Sequence, residues 1–197
     1  MNEEESMRRL LNNREKFENL KLWARQDNKD LAGADGEALA RKVFIALGLE
    51  YEDIDQSPAT FDPYLKAAGG KRADFLVQTG LSTHKLFVDA KHSNTDGGKV
   101  FRISEAEFKQ YQCLQKFESQ LSPGITVEVA FMVFPKEALG KCFALLWLEC
   151  FDAAIPCTVP RTINGERKEV PGLEVRISDV LNDSKTGNEW TGTMLLR

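Results

Sequence analysis

No apolar run in the 197-residue chain is long enough to cross a bilayer; the longest, around residues 143–151, has the length of a strand. A membrane is therefore not expected as a partner. The opening residues Met1, Asn2, Glu3, Glu4 and Glu5 lack the basic-then-apolar order of a signal peptide, so a cytoplasmic location is expected. The four cysteines, Cys113, Cys142, Cys150 and Cys157, have no metal-type spacing, and three lie in apolar runs or a helix. They read as reduced core residues of a cytosolic protein, not as a disulfide or zinc framework. Positive charge is not in excess: the net charge is −4, which argues against a surface that coats nucleic acid generally. It leaves room for a local basic groove, because acids withdrawn into a metal site are neutralised there. There are no repeats, no low-complexity tract and no sharp shift in composition. Residues 1–197 read as one domain, with an N-terminal helix over 3–25, a core over 35–151 and a β-hairpin extension over 152–197.

What the chain does have is an unusual hairpin. Arg72, Ala73, Asp74, Phe75, Leu76 and Val77 form one arm; Lys85, Leu86, Phe87, Val88, Asp89, Ala90 and Lys91 form the other. Both arms are rich in strand-forming residues and a Gly/Ser/Thr cluster separates them. A turn centred between Leu81 and Ser82 puts Asp74 opposite Asp89. Facing residues have Cβ atoms about 4.5–5.5 Å apart, and like charges there are destabilising. Two carboxylates aimed at each other in an apolar hairpin call for a cation. Lys91 lies two residues past Asp89 and so on the same face, as does Phe87, while Val88 and Ala90 point the other way into a core.

Helical spacing of Met7, Leu10, Leu11, Phe17, Leu20 and Trp23 predicts the first helix, read as packed on the domain flank, with a dimer arm or a substrate lid as the sharper alternatives. A second helix runs over about residues 35–47, capped by Asp35 and ended by Gly48, with Leu39, Ala40, Val43, Ala46 and Leu47 as its apolar stripe. Glu37 sits in its first turn. There it either complements the helix dipole or reaches over the rim to the sheet. Residues 50–54 predict a short strand, and residues 56–70 a long surface excursion. Lys71 and Arg72, before the first acidic strand, are solvated strand-edge charges or phosphate contacts. The polar segment after Lys91 leads to Lys99 and Arg102, grouped with them as candidate nucleic-acid contacts. Ser104 and Glu107 form a capping box for a third helix whose stripe is read as Ala106, Cys113, Leu114, Phe117 and Leu121. Gln110 falls inside that stripe, as a satisfied core amide or as a hydrogen-bond partner of the acids or of a phosphate. Residues 125–134 and 143–151 read as central strands. Asn164-Gly165 is a hairpin turn signal between 158–163 and 166–170. The segment with Val175, Ile177, Val180 and Leu181 fits strand or helix equally.

Phosphodiester hydrolysis needs an attacking oxygen, a stabilised pentavalent phosphate and a handled leaving oxygen. Mg²⁺ serves all three by lowering the pKa of bound water and neutralising phosphate charge. It typically takes only one or two protein carboxylates. Asp74 and Asp89 suffice for one ion; Glu37 would ligate a second or orient a water; Lys91 would position or deprotonate the nucleophilic water or stabilise phosphate charge. The order Glu37, Asp74, Asp89-Ala90-Lys91, on helix, strand and strand, resembles the PD-(D/E)XK nuclease superfamily, which includes restriction endonucleases and Holliday junction resolvases. The resemblance covers about half the chain. Ala73 stands where the name-giving motif has proline, and Asp89 is the less common choice of acid. It implies an α/β fold: a mixed central β-sheet flanked by helices, an αβββαβ restriction endonuclease-like core, here with an N-terminal helix and a β-rich C-terminal extension. By resemblance Asp74, Asp89 and Glu37 are metal ligands and Lys91 the catalytic lysine. Gln110 matches a glutamine that some branches carry in the helix after the lysine strand.

The expected function is thus a Mg²⁺-dependent deoxyribonuclease, with Mn²⁺ as a substitute. An endonuclease of resolvase, phage or restriction type fits best, and by resemblance a homodimer where two strands are cut. DNA is the expected partner and RNA stays open. Two other readings compete: a non-catalytic nucleic-acid-binding or inhibitory protein on the same scaffold, and a metal-dependent hydrolase of a small phosphorylated substrate.

Overall fold

The computed structural model describes residues 36–136, 142–177 and 193–195. The expected helix over 3–25, the Asp35 cap and the segment around Val180 and Leu181 lie outside these residues.

Helix α1 (Gly36–Leu47) buries Leu39, Ala40, Val43, Phe44 and Leu47 along one face. Its end is fixed by Gly48 at φ 64°, with Gly48 N–H donating to Ile45 O (3.0 Å) and Leu49 N–H to Phe44 O (2.9 Å). These are the paired bonds of a Schellman cap, which needs a left-handed residue. Gly36 at the other end touches β3 directly: a Cβ there would meet Ala90 C and O at 3.2 Å and His92 N at 3.1 Å.

Strands β1 (Tyr51–Asp53), β2 (Phe75–Val77) and β3 (His84–Ser93) pair antiparallel in sequence order. β5 (Thr126–Pro135) runs parallel to β3, and β6 (Cys142–Trp147) and β9 (Thr193–Leu195) complete a mixed six-stranded sheet of order β1-β2-β3-β5-β6-β9. The parallel pair needs a crossover, and α3 (Glu105–Leu121) lies within it. A second, three-stranded sheet joins β4 (Val100–Ser104), β8 (Glu166–Arg176) and β7 (Ile155–Ile163). The fold is therefore mixed α/β around a mixed central sheet with few helices. Among the described residues no helix is long and apolar enough to cross a membrane.

Alternation along β3 and β5 splits the interior in two. Val88, Ala130 and Met132 meet α1, together with Phe75. Phe87, Val129, Phe131 and Val133 meet α3 and the small sheet, through Tyr111, Leu114, Phe101 and Ile103.

Several elements depart from expectation. The strand read over 143–151 stops at Trp147 and continues as a 3₁₀ turn over Leu148–Ala153, which buries Leu148 and Phe151. The polar segment after Lys91 is shorter than expected: β3 runs on to Ser93, and Val100–Ser104 is a strand whose partner β8 lies some seventy residues on. The excursion over 56–70 carries a 3₁₀ turn (Pro58–Thr60) and a short helix, α2 (Pro63–Ala67), capped by Asp62 and anchored by buried Leu65. The hairpin at Asn164-Gly165 (φ 53° and 81°) forms as expected, with longer arms, and Val175 belongs to its second strand.

Candidate active site

The β2–β3 register is Phe75↔Val88, Leu76↔Phe87 and Val77↔Leu86. Carried one residue further, it sets Asp74 against Asp89, and Asp74 N–H donates to Val88 O at 3.2 Å. The Asp74 side chain accepts from Ala90 N–H at 2.8 Å. That bond favours the carboxylate, but burial and then the charge of Asp89 outweigh it and push the Asp74 carboxyl up to about 6, with Glu37 adding to the repulsion.

Asp89 is 1% exposed. Its Oδ1 accepts a short hydrogen bond from the Tyr111 hydroxyl and lies 3.8 Å from Lys71 Nζ. Its Oδ2 lies 2.6 Å from Lys91 Nζ, an ion-pair contact. Lys91 Nζ also contacts Glu107 Oε1 at 2.8 Å. Burial works against the lysine charge, yet Asp89 and Glu107 overcome it and hold the ammonium well above the ordinary lysine range. Lys91 in this arrangement is a fixed cation.

Glu107 takes more than its cap role. Ser104 Oγ accepts from Glu107 N–H (3.2 Å), as a capping residue should. The Glu107 carboxylate, however, meets Lys91, Lys71 (3.0 Å) and Arg161 of β7 (3.3 Å). Burial pushes its carboxyl up, but Lys91 and Lys71 prevail and hold it down at about 2. Tyr111 is fully buried, with Lys71 Nζ 5.0 Å from its ring centre, a cation–π distance. Burial, then the Asp89 charge, drives its hydroxyl far above the ordinary phenol range, so it stays a donor.

The structure places the other expected residues less centrally. Glu37 is half-exposed and paired with Arg41 Nη2 at 2.9 Å, one helical turn on; Arg41 Nε also holds Asp53 at 2.8 Å. Gln110 is half-buried. The buried face of α3 is Phe108, Tyr111 and Leu114, while Ala106 and Leu121 are exposed, so the stripe is rotated from the one expected and is centred one residue after Gln110. Lys71 reaches the site. Arg72 instead braces the excursion, donating to Asp55 O (2.6 Å), Ser57 O (3.0 Å) and Thr60 Oγ1 (2.9 Å) with its guanidinium over Phe61. Arg102 is held by Asp96 and Glu174, both at 2.7 Å, and Lys99 is exposed. Sequence reasoning missed Tyr111, and saw Glu107 only as a cap. The three-residue spacing of Phe108, Tyr111 and Leu114 was the signal that would have found that face.

Among the described residues no three His, Cys, Asp or Glu side chains gather closely enough to form a ready metal cage. The two aspartates still suit a hard dication that takes one or two carboxylates: they face each other across the hairpin, and the charge of Asp89 opposes ionisation of Asp74. No protein-family model matches the chain, and neither does any curated protein.

Proposed function

We propose that the protein is a Mg²⁺-dependent nuclease of PD-(D/E)XK type that hydrolyses phosphodiester bonds in DNA, on a restriction endonuclease-like core. The observation that carries this reading is the opposition of Asp74 and Asp89 on β2 and β3, with Lys91 two residues on and ion-paired beside them. The element order supports it too: with α2 and β4 set aside as insertions, α1, β1, the acidic hairpin, α3 and β5 run in the αβββαβ order. Asp74 and Asp89 would hold the ion, which supplies phosphate neutralisation and an activated water. Lys91, with its raised pKa, is suited to hold positive charge against the phosphate and not to take a proton. Tyr111 and Ala90 N–H orient the two carboxylates, and Glu107 orients Lys91. Glu37, with one oxygen on Arg41, would join from the rim of the site.

The test is incubation with linear, circular and branched DNA and Mg²⁺ or Mn²⁺, comparing the wild type with Asp89→Ala and Lys91→Ala. Cleavage by the wild type that both substitutions abolish is expected; cleavage untouched by either overturns the assignment. A second reading, a non-catalytic protein on the same scaffold, is favoured by one observation: Lys91 and Glu37 are already ion-paired within the protein. Binding of DNA without cleavage of any of these forms would select it.

A further inference from the structure

The outer end of the β7–β8 ribbon does nothing for the core. Every residue from 160 to 169 is exposed. The ribbon is nevertheless well formed, with continuous antiparallel pairing up to Ile163↔Glu166 and a turn whose two central residues both have positive φ. An ordered two-stranded projection that buries nothing is an arm, and its charges say for what.

Arg161 pairs directly with Lys168 across the ribbon. Like charges in facing positions are destabilising unless an anion lies between or beside them. Facing residues share a ribbon face, as do residues two apart, so the outer end of this face, residues 161–168, carries Arg161 and Lys168 against one acid, Glu166. The other face is balanced, with Arg167 opposite Thr162 and Glu169 opposite Pro160. The asymmetry is local and does not appear in the net charge of the chain.

The cationic face is joined to the candidate active site. Arg161 reaches Glu107, which Lys71 and Lys91 also contact, so three cations share one carboxylate. Lys71 and Arg161 keep 39% and 45% of their side chains exposed, and Lys168, paired at 3.0 Å only with highly exposed Glu166, keeps 51%. Exposed pairs of that kind hold their partners weakly. Lys71, Arg161 and Lys168 thus form a run of part-exposed cations that begins beside Asp89 and ends on the ribbon.

We propose that the β7–β8 ribbon is a phosphate-binding arm: Arg161 and Lys168 take backbone phosphates of a nucleic acid strand on its way to or from the Asp74–Asp89 site. Glu107 is the internal anion that keeps Arg161 and Lys71 in place between substrates. The proposal rests on the nuclease reading in taking nucleic acid as the polyanion. It adds the place where the strand outside the reacting phosphate lies.

Fluorescence anisotropy in EDTA, with labelled single-stranded and duplex DNA over a salt series, separates binding from cleavage. Arg161→Ala/Lys168→Ala should lower the slope of log K against log salt by about 2 and weaken binding by about tenfold or more. Arg167→Ala, on the opposite face, should leave slope and affinity close to wild type. Arg161→Lys/Lys168→Arg keeps the charge and should bind like wild type, which guards against an effect of misfolding. An unchanged double variant, an Arg167→Ala effect as large per charge, or a wild type that binds neither DNA overturns the proposal. With Mg²⁺ present, the double variant should raise KM. Cleavage with KM unchanged in the double variant removes the arm and leaves the nuclease. Ribbon-dependent binding without cleavage removes the nuclease and leaves the arm.

Discussion

On the α1 side of the central sheet, β3 contributes Val88 and Ala90 to an interior of Leu39, Val43, Phe44, Phe75 and Met132. On the α3 side the same strand contributes Phe87 and then Asp89 and Lys91, set among Tyr111, Phe131 and Glu107. Both sides are buried by a helix of the same chain on the same strands. The α1 side is what folding alone would select, since apolar burial drives it and no charge has to leave water. The α3 side takes several ionised groups out of water, and a buried ion pair is often no more stable than an apolar replacement. The difference between the faces is a measure of what the fold gives up to keep these groups together.

The comparison breaks if the α1 side proves dispensable. Phe44, which is 1% exposed and packs its ring tilted against Tyr51 at 5.0 Å and edge-to-face with Phe75 at 5.3 Å, is the place to ask. Phe44→Ala should cost about 3–5 kcal/mol in urea unfolding and leave cleavage per folded molecule unchanged. On the α3 side the reverse is expected: under the proposed nuclease reading, Asp89→Ala should lower the rate of DNA cleavage with Mg²⁺ by about 10²–10³, the scale of losing a central electrostatic group.

Glu107→Gln sharpens the picture through pH. The Glu107 carboxyl is held at about 2, below its ordinary 4.5. A depressed acid stabilises the fold fully above its unfolded pKa and loses that contribution as pH falls through the folded one. The deficit of the Gln variant should be about 1–3 kcal/mol at neutral pH and shrink from pH 4.5 toward 2 in denaturant titrations. The smallest effect has the opposite sign. Asp74 is raised to about 6 from 3.8, so its ionisation costs the fold stability as pH rises from 3.8 through 6, and the cost is complete above 6. Asp74→Asn should therefore be more stable than wild type by about 1 kcal/mol above pH 6 without divalent metal, allowing for screening at this half-buried position, and equal to it near pH 3. Added Mg²⁺ should narrow that gap while the variant stays inactive.

The hairpin was legible because register follows from arithmetic: positions 74 and 89 are equidistant from a turn between 81 and 82, and the pairing formed is that one. The α1 stripe and the Asn164-Gly165 turn were legible for similarly local reasons. β4 was not. Val100–Ser104 is a strand only because β8 comes to it from far along the chain, and no local pattern carries that. Tyr111 was hidden by phase. Counting Ala106 and Leu121 as apolar turned the α3 stripe toward Gln110, whereas the bulky residues Phe108, Tyr111 and Leu114 set the buried face. Glu107 was hidden by its own plausibility, since glutamate three residues after a capping serine already has a local explanation.

Gly36 lets α1 rest directly on the backbone of β3, one residue from Asp89 and one from Lys91. It works as a depth stop. Any larger residue would lift the first helical turn by a few tenths of an ångström, and Glu37 would rise with it. A site of this kind tolerates about 0.5 Å of error in its supporting groups. One missing methyl group, carrying no charge, therefore sets the height above β3 of the helical turn that carries Glu37.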